Sequence, residues 1–291
     1  MLEKVWMITK TTVTGFIDDE ALTRGAAISF YTVTTIAPLL LIVVSIAGLA
    51  FGRQAAEGAI VAQLTGMMGP QTAQFIQSIL SNASSKTSGV VSTLVGVGTL
   101  VITASGVFGE MQAALNTIWK VETKSTGLSS LLRARALSFG LVVVLGFLLM
   151  VSLVVSAALT ALGTYLTEVL PMGSVIISIL NFCISFILIA FLFGAIYKVL
   201  PDRHLEWHDV ILGALITSFL FSVGKFLIAL YLGGSGIATT YGAAGSLILL
   251  LLWVYYSVQI FLLGAEFTKS FANSQGSHKA LAIQPTTIIL D

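Results

Sequence analysis

Glu110 is a carboxylate in an apolar setting, within the segment GVFGEMQAALNTIWK. The residues before it, from Gly89 to Ser105, carry no charge. An ionisable side chain inside a membrane is rare and usually marks an ion, proton or substrate path. Glu110 is therefore a candidate proton-exchanging group. Trp119 and Lys120 mark the nearer interface, but the apolar run is long enough to leave the depth of Glu110 open.

Small and polar residues recur every three or four positions upstream of Glu110, which places them on one stripe of a helix. The stripe contains Ser92, Gly96, Thr99, Thr103, Gly106 and Glu110. Partners on other apolar runs are Ser29, Tyr31, Thr35, Ser222, Lys225, Tyr255, Gln259 and Glu266. These residues predict a polar site inside the membrane. Close helix packing explains the small residues equally well, and Lys225 is also explained by snorkelling outward.

Two segments are candidates for a hinge or a gate. Pro38 lies within the first apolar run, where it removes a backbone hydrogen bond and predicts a kink. The glycine-rich segment LGGSGIATTYGAAGS leaves the backbone few steric limits. It contributes Gly233, Gly236, Tyr241 and Gly242. An ordinary flexible loop is the stronger interpretation of that segment.

The densest group of metal-ligating residue types is PDRHLEWHD, which contains Asp202, His204, Glu206, His208 and Asp209. His204 and His208 are spaced to share one helical face and hold a metal. A polar connection that supplies acidic residues to the next helix start is the favoured interpretation. The chain has no GxSxG elbow, no phosphate loop and no paired cysteine motif. We predict no catalytic residue, no metal, no cofactor and no enzymatic activity.

The composition is that of a membrane protein. Hydrophobic residues make up 56% of the chain, charged residues 9%, and the mean hydropathy is +0.99. A soluble domain is nearer 25% charged. The net charge is +1, and the basic residues form no patch interleaved with aromatics, so we expect no nucleic-acid partner. The single cysteine, Cys183, is expected to pack as a small apolar side chain.

Six apolar runs are long enough to cross a bilayer, which takes about 20 residues as a helix. They are roughly residues 26–51, 89–118, 136–162, 175–197, 210–232 and 243–263. The sequence therefore predicts an all-α polytopic fold, with one six-helix transmembrane domain over residues 1–272 and a short polar tail over residues 273–291.

Lysine and arginine are enriched in cytoplasmic connections, and their distribution predicts the orientation. With the first residues inside, eleven of them lie on the cytoplasmic side and only Arg53 and Lys86 lie outside. Both termini are therefore predicted to be cytoplasmic. The short outer connections predict that spans three and four, and spans five and six, are antiparallel neighbours.

Two further helices are predicted at the membrane surface. Near the start of the chain, apolar residues at helical spacing favour an amphipathic interfacial helix, with an ordinary solvated helix as the alternative. These residues are Leu2, Val5, Trp6, Val13, Phe16 and Ile17. Between spans one and two, PQTAQFIQSILSN is too short to cross a membrane and predicts a helix on the outer leaflet. Pro70 begins it, with Phe75, Ile76, Ile79 and Leu80 on one face.

Four segments together resemble the YihY/BrkB family of bacterial inner-membrane proteins. They are RGAAISFYTVTTIAPLLL, GVFGEMQAALNTIWKVE, YKVLPDRHLEWHDVILGAL and the long segment from YLGGSGIATTYGAAGS through LLLWVYYSVQIFLLGAEFTKSFA. The resemblance covers about residues 1–272, and its last segment is the most specific. It implies six helices with both ends inside the cell. The family is linked to virulence, envelope lipid handling and transport, and carries an older ribonuclease label.

These observations predict a multi-pass protein of the bacterial inner membrane. We expect it to transport or export a small solute, an ion or a lipid-like molecule through a polar interior between helices. A non-transporting scaffold that supports envelope assembly or lipid homeostasis is the alternative. The expected partners are the bilayer and an unidentified substrate, and a homo-oligomer is left open.

Overall fold

The computed structural model describes residues 2–85, 90–121, 173–203, 205–234 and 244–274, with a few single positions between them. Every regular element in this part of the chain is a helix. The helices are α1 (Leu2–Asp18), α2 (Ala21–Phe51), α3 (Arg53–Met68), α4 (Pro70–Ser85), α5 (Val90–Ile118), α6 (Gly173–Val199), α7 (Trp207–Gly234) and α8 (Gly245–Ser274). The all-α prediction is confirmed for these residues.

Four helices in the described part of the chain are long and apolar enough to cross a membrane. Their spans are Ala21–Ser45, Val175–Val199, Trp207–Tyr231 and Gly245–Ser274. They correspond to the first, fourth, fifth and sixth predicted spans. The second predicted span is the helix α5, while the third, residues 136–162, lies mostly outside the described residues.

Single glycines join α2, α3 and α4 into a folded-back unit. Gly52 and Gly69 have φ of +84° and +85°, a region that side chains with a Cβ rarely adopt. Each amide closes the preceding helix, with Gly52 N–H donating to Gly48 O at 3.0 Å and Gly69 N–H to Thr65 O at 3.0 Å. Pro38 lies inside α2, which continues through it to Phe51.

The helix predicted on the outer leaflet is α4, and it follows a separate helix, α3, that the sequence analysis did not predict. Ile76 and Leu80 of α4 are buried and belong to the central hydrophobic cluster. The apolar face of α4 therefore packs against protein through these two residues, since a helix too short to span can still cover the end of a bundle.

The antiparallel helices α7 and α8 cross at a pair of identical GAxxT motifs, Gly213 to Thr217 and Gly264 to Thr268. A Cβ at Gly213 would overlap Thr268, and a Cβ at Gly264 would overlap Thr217. Each threonine hydroxyl donates to the glycine carbonyl four residues earlier in its own helix, at 2.7 Å. We call these four residues the glycine–threonine seam. Small residues at such spacing allow close approach of membrane helices.

Tyr197 of α6 joins the same crossing. Its hydroxyl donates to the carbonyl of Phe261 at 2.6 Å and lies 3.1 Å from Thr217 Oγ1. Its ring stacks on Phe261, with the ring centres 5.3 Å apart. Tyr197 and Thr217 are fully buried. Aromatic stacking and satisfied hydroxyls therefore fix α6, α7 and α8 to one another.

Helix α1 packs along α8 with one face and exposes an apolar stripe on another. Ile8 and Thr12 are buried, whereas Trp6, Val13 and Ile17 are exposed, Trp6 by 71%. The stripe follows helical periodicity, as the sequence predicts for an interfacial helix. Docking of α1 on α8 leaves its polar side facing the site described next.

Candidate functional site

Four charged side chains meet where α1, α5 and α8 converge. Asp19 Oδ1 accepts a hydrogen bond from Lys120 Nζ, and Asp19 Oδ2 lies 3.3 Å from Lys269 Nζ. Lys269 Nζ also donates to Glu266 Oε2 at 2.9 Å. We call Asp19, Lys120, Lys269 and Glu266 the charged cluster. The Asp19 and Glu266 side chains are almost fully buried, whereas Lys120 is mostly exposed.

Two left-handed residues position the cluster. Glu20 has φ of 53° and Lys120 has φ of 51°, and they are the non-glycine residues of positive φ within the described chain. Glu20 turns the chain between α1 and α2 directly after Asp19, while Lys120 ends α5. Arg24 Nε of α2 donates to the Asp19 carbonyl at 3.1 Å and holds the turn. Non-glycine residues in this conformation are uncommon and gather at functional sites.

Glu266 is buried because α1 lies directly over its carboxyl. Its side chain is 0% exposed. A Cβ at Gly15 of α1 would lie 2.5 Å from Glu266 Oε2, so a larger residue there would force the Glu266 carboxyl to shift. Glu266 Oε1 is buried and has no hydrogen-bond partner among the described residues. An unpaired buried carboxylate oxygen carries a large desolvation cost.

The surroundings of Asp19 favour its charged form. Burial by itself raises the pKa of Asp19, but the hydrogen bond from Lys120, the neighbouring Glu266 carboxyl and the charges of Lys269 and Lys120 outweigh it. The pKa of this carboxyl therefore lies below its ordinary value of 3.8.

Gln259 lies two turns before Glu266 on α8. Its side chain packs against a glycine of α2, as the Glu266 side chain packs against Gly15 of α1. Its Nε2 is 3.5 Å from the Leu22 carbonyl, and a Cβ at Gly25 would overlap it. Its Oε1 is buried without a partner among the described residues. Two glycines near the α1–α2 turn thus admit two polar side chains of α8.

A cleft of about 550 Å³ opens beside the charged cluster. The polar side of α1 forms most of its wall, and Lys120 and Lys269 close it. The lining residues are Met7, Lys10, Thr11, Thr14, Gly15, Asp18, Asp19, Lys120 and Lys269. This cleft, which we call the charged cleft, offers three ammonium and two carboxyl groups to water and to a ligand.

The residues that the sequence analysis singled out are spread over several places. Glu110 is half-buried in α5 and makes no ion pair with another described residue. The side chains of Thr99 and Thr103 fall outside the described ones. Ser29 and Thr35 are buried and donate within α2, to the Gly25 carbonyl at 2.6 Å and the Tyr31 carbonyl at 2.7 Å.

Other predicted residues lie away from the charged cleft. Tyr31 is partly exposed, and a Cβ at Gly106 of α5 would lie 2.9 Å from its ring. Ser222, Lys225 and Tyr255 are half-buried on α7 and α8. In the proposed gate, Tyr241 is helical and exposed, Gly233 belongs to α7, and Gly236 and Gly242 lie outside the described residues. Glu266 is the predicted residue that belongs to the charged cluster.

The polar segment after α6 docks on the end of α5. Asp202 accepts from Gln112 Nε2 at 3.1 Å and from Asn116 Nδ2 at 2.8 Å, and its amide donates to Asn116 Oδ1 at 2.9 Å. Arg203 donates to the Trp119 carbonyl at 2.9 Å. Asp209 lies in the first turn of α7, where a carboxylate favours the helix start. These contacts agree with the interpretation of this segment as a polar connection between helices. His204, which the alternative metal site would need, lies outside the described residues.

Sequence reasoning missed Asp19, Lys120 and Lys269 as site residues and treated the two lysines only as markers of orientation. One signal was present, because Glu266 and Lys269 are three positions apart on a helix and can pair. The contact between Asp19 and Lys269 joins residues 250 positions apart, and no local pattern reports it.

The model of the family described as Virulence factor BrkB matches residues 12–286. Among curated relatives, the chain is similar to a UPF0761 membrane protein of Kangiella koreensis, with 26% identity over 82% of the chain and 57% of the relative. A UPF0761 membrane protein of Rhodospirillum centenum is 25% identical over 90% of the chain and 56% of the relative. One from Pseudoalteromonas translucida is 26% identical over 87% and 81%.

The chain thus spans little more than half the length of the first two of these relatives. No solved structure matches the chain.

Proposed function

The chain belongs to the virulence factor BrkB family, and from that premise we propose that it transports a small solute, an ion or a lipid-like molecule across the bacterial inner membrane. It is a membrane protein, with four helices in its described part that are long and apolar enough to cross a bilayer. The proposal includes no enzymatic activity, no cofactor and no nucleic-acid partner.

The charged cleft is the observation that carries this proposal. It joins a cavity of about 550 Å³ to a cluster of four charged side chains at the meeting point of α1, α5 and α8. Charged groups buried near membrane spans are costly and usually line a substrate or ion path. A mixed set of ammonium and carboxyl groups suits a polar or zwitterionic substrate group. We place the entry of the path in this cleft.

The proposal also includes six spans with both termini in the cytoplasm, so that the charged cleft opens on the cytoplasmic side. The charge distribution of the connections supports this topology. Single cysteines at Ser84 and Thr123, in a Cys183→Ser background, test it in intact cells. A membrane-impermeant maleimide should label Ser84→Cys from outside and Thr123→Cys only after the cells are opened. Reversed labelling would contradict the orientation.

Reconstitution tests transport directly. The full chain is placed in vesicles of phosphatidylethanolamine and phosphatidylglycerol that contain a pH-sensitive dye or a fluorescent phospholipid. Under an imposed pH gradient, we expect proton flux or transfer of the lipid between leaflets above the level of empty vesicles. Glu266→Gln should lower it, and Glu110→Gln reports whether the second carboxyl contributes. Rates equal to those of empty vesicles for both probes would contradict this proposal.

A scaffold function is the second candidate, and the glycine–threonine seam favours it. There the threonine hydroxyls of α7 and α8 are satisfied within their own helices and lie in close contact with the facing helix. A scaffold predicts no flux in vesicles, together with weakened envelope integrity in cells that lack the chain. Restoration of integrity by a Glu266→Gln chain that transports nothing would favour the scaffold.

A further inference from the structure

Asp19 and Glu266 are two buried carboxyl groups that share one lysine partner, Lys269. Both oxygens of Asp19 have lysine partners, whereas Glu266 has one oxygen on Lys269 and the other, Oε1, buried without a partner among the described residues. A proton on Glu266 turns its carboxyl into a donor, and the neighbouring acceptor is the Asp19 carboxyl, which is held by the same Lys269 ammonium. Two carboxyl groups held close together commonly share one proton in this way.

We propose that Asp19 and Glu266 form a binding site for a single proton, reached through the charged cleft, and that its occupancy determines whether α1 stays docked on α8. The inference deepens the proposed function and rests on it for its consequence, which is that proton binding controls the entry of the path. The site itself is defined by contacts that do not depend on transport.

Docking of α1 depends on the proton because α1 seals the carboxyl. Gly15 lies over Glu266 so closely that a Cβ would be 2.5 Å from Oε2. When the proton leaves, Oε1 becomes an ionised oxygen that needs a donor, and the charged cleft is the nearest source of water. Water reaches Glu266 only if α1 moves away, so deprotonation favours the undocked helix.

Several charged groups face this pair from the elements packed around it. They are Lys10 and Asp18 on α1, Arg24 on α2, Lys120 after α5 and Lys269 on α8. With the proton bound, the charged cluster carries one negative and two positive charges; without it, the charges balance. The lysines therefore favour release of the proton, and burial opposes its release.

Thiol labelling tests the proposal in the full chain in detergent, with Cys183→Ser as background. Thr12→Cys reports docking because Thr12 is buried against the bundle, and Thr9→Cys on the exposed side of α1 is the matched control for the pH dependence of maleimide chemistry. The ratio of the two labelling rates should rise with pH, by up to about tenfold per pH unit, which is the limit for opening linked to one proton.

Glu266→Gln keeps a donor at this position at every pH, so the ratio should stay low and flat. A ratio that is flat in the chain with Glu266, or one that keeps its pH dependence in Glu266→Gln, would overturn the proposal. Infrared spectra of the chain with Glu266 give a second measurement that needs no substitution at the site, since the carboxylic acid carbonyl band should weaken as pH rises. A band that does not change with pH would also overturn it.

These readouts separate this inference from the proposed function. A pH-dependent ratio without flux in vesicles supports the proton site and contradicts transport. Flux together with a flat ratio contradicts the proton site alone.

Discussion

Helix α8 makes two contrasting contacts on its opposite faces. Gly264 and Thr268 form the glycine–threonine seam with α7, while Glu266 and Lys269 face α1 in the charged cluster. Although the two pairs of residues alternate along the sequence, helical periodicity places them on different sides of α8. In the seam every named hydroxyl has an acceptor, whereas the cluster leaves a carboxyl oxygen unpaired beside two residues in the left-handed conformation. The face toward α7 therefore stabilises the fold, whereas the face toward α1 is suited to local opening.

The seam should be the more sensitive of the two contacts, and Gly264→Ala tests this most severely. The new methyl group would overlap Thr217 and crowd the Tyr197 hydroxyl, so we expect a loss of about 3 kcal/mol or more in stability. Thermal unfolding in detergent, followed by circular dichroism, measures it. Gly109→Ala is the matched control, because a Cβ there meets no described atom within 4 Å. Equal stability of the two variants would remove the distinction between the faces.

Asp19→Asn tests the charged cluster. Breaking a buried ion pair costs about 3–5 kcal/mol and an exposed pair about 0–1. Since Asp19 is buried but Lys120 is mostly exposed, we expect a loss of about 2 kcal/mol. The effect should depend on pH, because the lowered pKa of Asp19 stabilises the fold above its ordinary value of 3.8 and this contribution is lost as pH falls below it.

Unfolding at pH 7 and at successively lower pH measures this contribution. The difference between the original chain and Asp19→Asn should shrink below about pH 3.8. A difference that stays constant or grows on acidification would show that the charge of Asp19 does not stabilise the cluster.

Tyr197→Phe tests how much the Tyr197 hydrogen bond beside the glycine–threonine seam contributes to stability. It removes the hydroxyl that donates to the Phe261 carbonyl while keeping the ring that stacks on Phe261. The expected loss is about 1 kcal/mol, the usual net value of one buried hydrogen bond. Chemical unfolding of Tyr197→Phe beside Tyr231→Phe, whose ring is exposed, gives the comparison. A loss no larger than that of Tyr231→Phe would mean that packing alone holds this crossing.

Of these four substitutions, Glu20→Gly should change the stability of the fold least. The left-handed conformation costs a residue with a Cβ about 1–2 kcal/mol, and glycine relieves this at an entropic cost of about 0.5–1 kcal/mol. We therefore expect a gain within about 1 kcal/mol, visible as a small rise in unfolding temperature. Gln74→Gly, at an exposed position in the middle of α4, should instead destabilise. Loss of stability in Glu20→Gly would show that its side chain has a role beyond the turn.

The helices could be predicted because long apolar runs report them directly, and the predicted bounds of the first, second, fourth and fifth spans agree with α2, α5, α6 and α7 to within five residues. Helix α3 could not, since its residues RQAAEGAIVAQLTGMM carry no clear apolar face. The charged cluster was found only through Glu266. Asp19 and Lys120 come from two distant parts of the chain, and a sequence does not show which charges meet until the helices are packed.

The contact between Asp19 and Lys269 also has a consequence for biosynthesis. The two residues are 250 positions apart. At about 5–20 residues per second, the ribosome adds Lys269 roughly 12–50 s after Asp19. During that interval α1 has no α8 to dock on. The charged cleft is therefore among the last features to form as the nascent chain is completed, and a ribosome stalled before α8 would carry α1 undocked.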